Sequence, residues 1–164
     1  MNRDRLLYAA PALSCAALLA FGYFLQYFQG QDPCPLCLVQ RGFYFLVLGI
    51  FAIAALHAPQ VLGRRLYCAA AALAAAAGFG VAARQVWLQH LPPDQVPACG
   101  PDLFFMMENF PLSRTLEKLF MGSGQCAEAG WKFLGLSIAE WSLAWFAALV
   151  FYAAWLALRA PSAR

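Results

Sequence analysis

The sequence has little charge, and the charge it has avoids four long segments. Only 12% of its 164 residues are Asp, Glu, Lys or Arg, whereas soluble globular domains carry roughly 25%. The segments without any of these residues are 6–31, 42–63, 66–83 and 141–158. A helix needs about 20 apolar residues to cross a bilayer core of about 30 Å, and open strands are excluded there because their backbone groups would lack partners. We therefore predict an all-α membrane protein built on a four-helix transmembrane bundle.

The whole chain, 1–164, is predicted to form one membrane domain. Arg3 and Arg5 precede a first apolar run that is too long for a typical signal peptide, so we expect an uncleaved span. The predicted transmembrane helices cover about 8–27, 42–58, 66–83 and 141–158. The predicted loops are about 28–41 and 84–140 on one side, and 1–7, 59–65 and 159–164 on the other.

Basic residues are distributed unequally between the two sides of this bundle. The side with both termini carries six arginines against Asp4 alone, while the other side and its borders carry five basic residues against seven acidic ones. The positive-inside rule therefore places both termini in the cytoplasm and the long loop in the periplasm of a bacterial inner membrane. The net charge of +3 is thus a topology signal. The sequence also lacks repeats, low-complexity tails and phosphate-binding glycine loops, and no nucleic-acid partner is predicted.

The six cysteines divide by their position relative to the membrane. Cys15 and Cys68 fall within predicted spans, where a cysteine packs as a small hydrophobic residue. The other four all lie on the predicted periplasmic side: Cys34, Cys37, Cys99 and Cys126. Because disulfides persist in oxidising compartments, charge topology and cysteine placement agree independently.

Three interpretations of these four cysteines remain at this point: a zinc site, two structural disulfides, or redox-active disulfides. Zinc modules usually bring two close pairs, but only Cys34 and Cys37 are close in sequence, so no metal is predicted. Redox activity is favoured because the flanking prolines predict a helix start at this C-x-x-C. Arg41 follows Cys37 by one helical turn, and a helix N-terminus and a nearby cation both lower a thiol pKa.

A dithiol at the membrane edge is within reach of lipid-soluble quinones, and Gly42 with the aromatic residues after it offers a close approach and apolar walls. The segment LPPDQVPACGPD, 91–102, predicts an irregular loop that presents Cys99 to a protein partner. The segment FPLSRTLEKLF, 110–120, has leucines on one helical face and predicts a short amphipathic helix on the membrane surface.

Three motifs together resemble the DsbB family of bacterial inner-membrane disulfide bond formation proteins. They are CPLCLVQR after the first predicted helix, the Pro-flanked Cys99, and SGQCAEAGWKFLGLSIAEW at 123–141 before the last one. The resemblance covers nearly the whole chain and includes the order of the elements. It implies a quinone-dependent protein-dithiol oxidoreductase that reoxidises the periplasmic thiol oxidase DsbA, as in the DsbA–DsbB–quinone relay that keeps the periplasm oxidising.

The resemblance also implies roles for individual residues. Cys99–Cys126 would be the disulfide that reduced DsbA attacks, and Cys34–Cys37 would pass the electrons to ubiquinone or menaquinone. Cys37 and Arg41 would contact the quinone, and His90 aligns loosely with a histidine sometimes implicated there. Gln40 stands where some members carry an acid. Two alternatives stay open: a specialised member serving a different DsbA-like partner, and a membrane scaffold with two structural disulfides.

Overall fold

The computed structural model describes residues 3–92, 94–96, 105, 108–111, 113–114, 124–128 and 130–159. Four long helices dominate it: α1 (Arg3–Gln29), α2 (Pro35–His57), α3 (Val61–Gln89) and α5 (Ile138–Leu158). Between α3 and α5 lie the short helix α4 (Gly124–Ala127) and a two-stranded hairpin, β1 (Lys132–Phe133) and β2 (Leu136–Ser137). Each long helix is sufficiently long and apolar to cross a membrane. The predicted all-α membrane fold is confirmed.

The long helices pack in the order α1, α2, α3, α5. α1 contacts α5 near one end of the bundle and the segment before β1 near the other. At one end the Tyr152 hydroxyl donates to the Leu7 carbonyl oxygen at 2.8 Å. At the other end, where α2 begins and α3 ends, the ring of Phe21 meets the edge of Trp131 at 5.4 Å between centroids. We call this second end the cysteine end, and between the two contacts α1 and α5 face each other across a cavity.

The main core lies toward the middle of the bundle and depends on a close contact between α3 and α5. Phe51 and Phe146 are fully buried, and Tyr44 stacks on Phe146 with ring centroids 4.2 Å apart. A Cβ atom at Gly78 would lie 2.5 Å from Cε1 of Phe146. Only glycine therefore lets α3 approach this ring, as small residues do at membrane helix interfaces.

The helices extend well beyond the charge-free segments that predicted them. α2 begins at Pro35, not near residue 42, and α3 continues to Gln89, not 83. The arginines that interrupt the apolar segments have partners: Arg41 lies over the Tyr23 ring at 4.7 Å and Arg84 over the Trp87 ring at 4.3 Å. Because such contacts accommodate a cation inside a helix, absence of charge was a poor marker of the helix ends.

The segment before α5 forms a hairpin within the predicted loop at about 84–140. Lys132 pairs with Ser137 and Phe133 with Leu136. The turn residues Leu134 and Gly135 both have positive φ, 53° and 81°, as a two-residue hairpin turn requires. Two-residue strands give no alternating pattern, which explains why the hairpin was missed. The predicted surface helix at 110–120 lies largely outside the described residues.

Candidate functional site

The C-x-x-C pair lies at the start of α2, as its sequence setting predicted. Cys34 is the N-cap residue, with φ −64° and ψ 162°, and Pro35 is the first residue of the helix. The backbone N–H of Cys37 donates to the Cys34 sulfur at 3.3 Å. The two Sγ atoms are 2.8 Å apart. The capping geometry thus holds both sulfurs side by side where the helix dipole favours negative charge.

Cys126 lies in the same cluster, although it is far from the pair in sequence. It is fully buried on α4, which packs against α2 and α3. Its side chain is hydrogen-bonded to that of Cys34, and Leu36, Val81 and Leu88 enclose this group of sulfurs. The structure therefore brings three of the four predicted cysteines together. Cys99 lies outside the described residues, so its pairing with Cys126 stays a prediction.

The environment of Cys34 favours its neutral form. The hydrogen bond with Cys126, the hydrogen bond with Cys37 and burial, in that order of importance, raise the pKa of the Cys34 thiol. Cys34 therefore keeps its proton strongly when the pair is reduced. Its side chain also contacts that of Cys126.

Two buried glutamines contact the sulfurs and each other. Gln40 on α2 and Gln85 on α3 are 4% and 3% exposed. Gln40 Nε2 donates to Gln85 Oε1 at 2.6 Å. Gln85 Nε2 lies 3.2 Å from the Cys37 sulfur and 3.4 Å from the Cys34 sulfur. In the sequence, Gln40 is evident only as a departure from a family pattern, and no motif points to Gln85.

Arg41 joins α2 to α1 beside the C-x-x-C pair. Its Nη1 donates to Gln26 Oε1 at 2.5 Å and its Nη2 donates to the Gly22 carbonyl oxygen at 2.9 Å. These contacts, with the Tyr23 ring, hold the guanidinium in the interior of the bundle. Its predicted place next to the dithiol, on the same helix, is consistent with this arrangement.

A cavity of about 860 Å³ opens beside these groups, between α1 and α5. Cys34, Cys37, Gln40, Arg41 and Gln85 all line it. Its walls are largely apolar and aromatic, with side chains from α1, the hairpin and α5: Leu18, Phe21, Leu25, Trp131, Phe133, Ile138, Trp141 and Trp145. Polar and acidic side chains, among them Asp32, Gln125 and Glu128, also line it. A cavity of this size is typical of small-molecule sites.

Comparison with known proteins supports the resemblance inferred from the motifs. The family model described as "Disulfide bond formation protein DsbB" matches residues 4–156. The chain belongs to the DsbB family.

Three relatives, each named "Disulfide bond formation protein B", illustrate this membership. The Azoarcus sp. (strain BH72) protein is 49% identical over 152 residues, which is 93% of this chain and 91% of the relative. The Nitrosococcus oceani protein is 46% identical over 141 residues, 86% and 83% of the two chains. The Chromohalobacter salexigens protein is 50% identical over 139 residues, 84% and 81% of the two chains.

His90 is the residue for which the resemblance to the DsbB family implied a loose match to a histidine near the quinone. It caps the C-terminus of α3, where its Nδ1 is 2.8 Å from the Val86 carbonyl oxygen. Its Nε2 is 3.9 Å from Glu140 Oε1, and its side chain is 66% exposed. It is not among the described residues that line the cavity. A role for His90 toward a quinone stays a prediction.

Glu140 and Ser137, for which no role was predicted, fix the start of α5. The Ser137 hydroxyl accepts from the Glu140 backbone N–H at 3.3 Å, and Glu140 Oε2 accepts from the Ser137 N–H at 2.6 Å. The Ser137 hydroxyl also donates to Gln89 Oε1 at 2.7 Å, which ties α5 to the end of α3. This capping box anchors the hairpin wall of the cavity.

Proposed function

We propose that this DsbB-family protein is a disulfide-forming thiol oxidoreductase that transfers electrons from a DsbA-like periplasmic dithiol protein to a membrane quinone. One observation carries the proposal: Cys34 contacts Cys126 on one side, while its partner Cys37 lines a large apolar cavity with Arg41. A cysteine pair in this position has one route to another pair of thiols and another route to a lipid-soluble acceptor.

The exchange steps balance if the four cysteines act as two disulfides. A thiolate of the reduced partner attacks the Cys99–Cys126 disulfide at Cys99, and the partner's second thiol resolves the mixed disulfide. The partner leaves with a disulfide, while Cys99 and Cys126 retain its two electrons as thiols. Cys126 then attacks Cys34 of the Cys34–Cys37 disulfide, and Cys37 leaves as a thiolate. Cys99 next attacks Cys126, which restores the Cys99–Cys126 disulfide and releases Cys34 as the second thiol.

The cavity fits a quinone on two physical grounds. Its aromatic and aliphatic walls suit an apolar ring, and its lining includes the Arg41 guanidinium, which has N–H groups beyond the two that bond to Gln26 and Gly22. A bound quinone supplies the oxidant, since it accepts two electrons and two protons and departs as quinol. Cys34 and Cys37 then return to the disulfide. Either ubiquinone or menaquinone satisfies this chemistry.

The arrangement of the helices supports access from the bilayer. α1 contacts α5 through Tyr152 and Leu7 at one end and the segment before β1 through Phe21 and Trp131 at the other, and residues of α1 and α5 both line the cavity. In the proposed mechanism a molecule dissolved in the membrane enters the cavity sideways between α1 and α5, without crossing the aqueous face. The charge distribution supports the matching orientation, with both termini in the cytoplasm and the cysteine end in the periplasm.

The test is a turnover assay with the purified full-length protein, a reduced DsbA-like thiol oxidase and ubiquinone, with menaquinone in a parallel reaction. The proposal expects one quinol for each partner dithiol oxidised. If neither quinone is reduced and both disulfides resist glutathione, the chain is a scaffold with structural disulfides. If quinone is reduced only with a different DsbA-like client, the protein is a specialised member of the family.

A further inference from the structure

Two carboxamides are buried at the cysteine end, within the helices that are long and apolar enough to cross a membrane. Gln40 and Gln85 come from different helices, and both side chains are more than nine-tenths buried. An unpaired amide in such surroundings costs several kcal/mol by water-to-hydrocarbon transfer. Their 2.6 Å hydrogen bond offsets part of this cost. Buried polar side chains in a membrane helix are also a reason to look for a function.

The direction of the hydrogen bond between the glutamines determines which end of the Gln85 amide faces the sulfurs. Gln40 Nε2 donates to Gln85 Oε1, so the Gln85 oxygen is the acceptor of this pair. The Gln85 nitrogen is then the end directed at the sulfurs, 3.2 Å from Cys37 Sγ and 3.4 Å from Cys34 Sγ. A protonated Cys37 can in addition donate to Gln85 Oε1, at a longer 3.6 Å.

We propose that Gln85 donates a hydrogen bond to the thiolate of Cys37 in the reduced pair, and that Gln40 is a positioning residue that fixes the Gln85 amide in the donating orientation. This inference rests on the proposed function, because Gln85 can have this role only if Cys34 and Cys37 are oxidised and reduced in turn. A hydrogen bond to an ionised sulfur is much stronger than one to a disulfide sulfur. The amide therefore stabilises the reduced, thiolate form selectively.

The neighbouring cation has a different arrangement. Arg41 directs Nη1 and Nη2 at Gln26 and at the Gly22 carbonyl on α1, whereas Gln85 directs its nitrogen at the sulfurs. A neutral donor can hold the thiolate without adding a second charge to a site with a low dielectric constant. The division leaves Arg41 to shape the cavity wall and Gln85 to contact the reacting atoms.

The test follows thiolate formation directly and uses no quinone. In the fully reduced, full-length protein, the alkylation rate of Cys37 by iodoacetamide is measured against pH, with tandem mass spectrometry separating Cys37 from Cys34. The variants are Gln85→Leu, Gln85→Met as an unbranched side chain of similar length, and Gln40→Leu. Gln60→Leu is the matched control, because Gln60 caps α3 at the opposite end without a side-chain cap bond.

Loss of a hydrogen bond to a charged group is expected to lower the rate of Cys37 alkylation at neutral pH by about tenfold. It should also shift the midpoint of the curve of alkylation rate against pH upward by about one pH unit. Both Gln85 variants and Gln40→Leu should show this direction of change, while Gln60→Leu keeps the wild-type profile. An unchanged midpoint in both Gln85 variants overturns the donor role. An unchanged midpoint in Gln40→Leu overturns the positioning role. A wild-type protein that fails to reduce quinone would instead overturn the proposed function, by a separate measurement.

Discussion

Buried cysteines occur in two regions of this molecule, and their neighbours differ. Cys15 and Cys68 are 0% and 1% exposed and belong to the main apolar core around Phe51 and Phe146. Cys34 and Cys126 are almost equally buried, at 7% and 0%. They belong to a separate cluster at the cysteine end. There the Cys34 sulfur is 3.4 Å from the Gln85 nitrogen, and Cys34 lines the cavity.

The difference shows that burial does not decide what a cysteine does. Cys15 and Cys68 lie well inside helices α1 and α3 and belong to the main core cluster, which does not include Cys34 or Cys126. Cys34 lies at a helix start, with another thiol one turn away and a third against it. Reactive cysteines are set by such polar surroundings, whereas structural ones are inert.

Replacing a sulfur at the cysteine end should remove activity, while replacing one in the core should not. Cys37→Ser removes one of the two sulfurs that must form the disulfide, so quinone reduction should fall by at least about a hundredfold. The matched control, Cys68→Ala, should retain turnover of the wild-type order. Quinol formation in the turnover assay measures both, and near-wild-type activity in Cys37→Ser would rule out the mechanism.

A change in the core should affect stability and leave the thiol chemistry unchanged. In Gly78→Ala the new methyl group meets the Phe146 ring, and such overpacking should cost about 1–3 kcal/mol of stability. Gly80→Ala is the control, since a Cβ there has no heavy atom within 4 Å. Thermal unfolding in detergent should show a lower midpoint for Gly78→Ala only. An equal effect at both glycines would show that the tight contact is unimportant.

Arg41 should affect quinone binding more than the bundle's stability. Lysine cannot reproduce the two separate hydrogen bonds to Gln26 and Gly22, so Arg41→Lys should raise the KM for quinone by about tenfold. Arg84→Lys, which alters the cation over Trp87 outside the cavity lining, serves as the comparison. Equal KM values for the two variants would show that Arg41 does not contribute to quinone binding.

The smallest effect is expected at the cap of α5. Ser137→Ala removes the hydroxyl that accepts from Glu140 N–H and donates to Gln89, and loss of such a cap costs about 1 kcal/mol. Ser14→Ala, where the hydroxyl donates to the Pro11 carbonyl and contacts Cys15 within α1 and ties no second helix, should change stability much less. Unfolding midpoints decide, and identical midpoints would mean that the capping box does not contribute.

Much of the fold could be predicted because charge and cysteine placement are simple one-dimensional signals. Charge-free segments predicted the four long helices, and the prolines at 33 and 35 predicted the helix start that holds Cys34 and Cys37. The ends of the helices could not be predicted this way, because Arg41 and Arg84 gain partners only after folding.

The least predictable part of the site is the contact between Gln85 and the sulfurs. It joins residues 48 positions apart, and a glutamine at the end of a long apolar segment looks like a boundary residue. The one signal in the sequence was a pair of amides, Gln40 and Gln85, in helices with few other polar groups. Cys126 was found because cysteines can be sorted by compartment, but its contact with Cys34 depends on how α4 packs.

The proposed roles of the cysteines are tested most directly by identifying which of them quinone oxidises. The fully reduced protein is given excess ubiquinone without oxygen, and the remaining thiols are alkylated and identified by mass spectrometry. The account predicts that Cys34, Cys37, Cys99 and Cys126 become oxidised while Cys15 and Cys68 stay as thiols. If all six cysteines remain reduced, or if Cys15 and Cys68 are oxidised in preference to the C-x-x-C pair, the central claim is wrong.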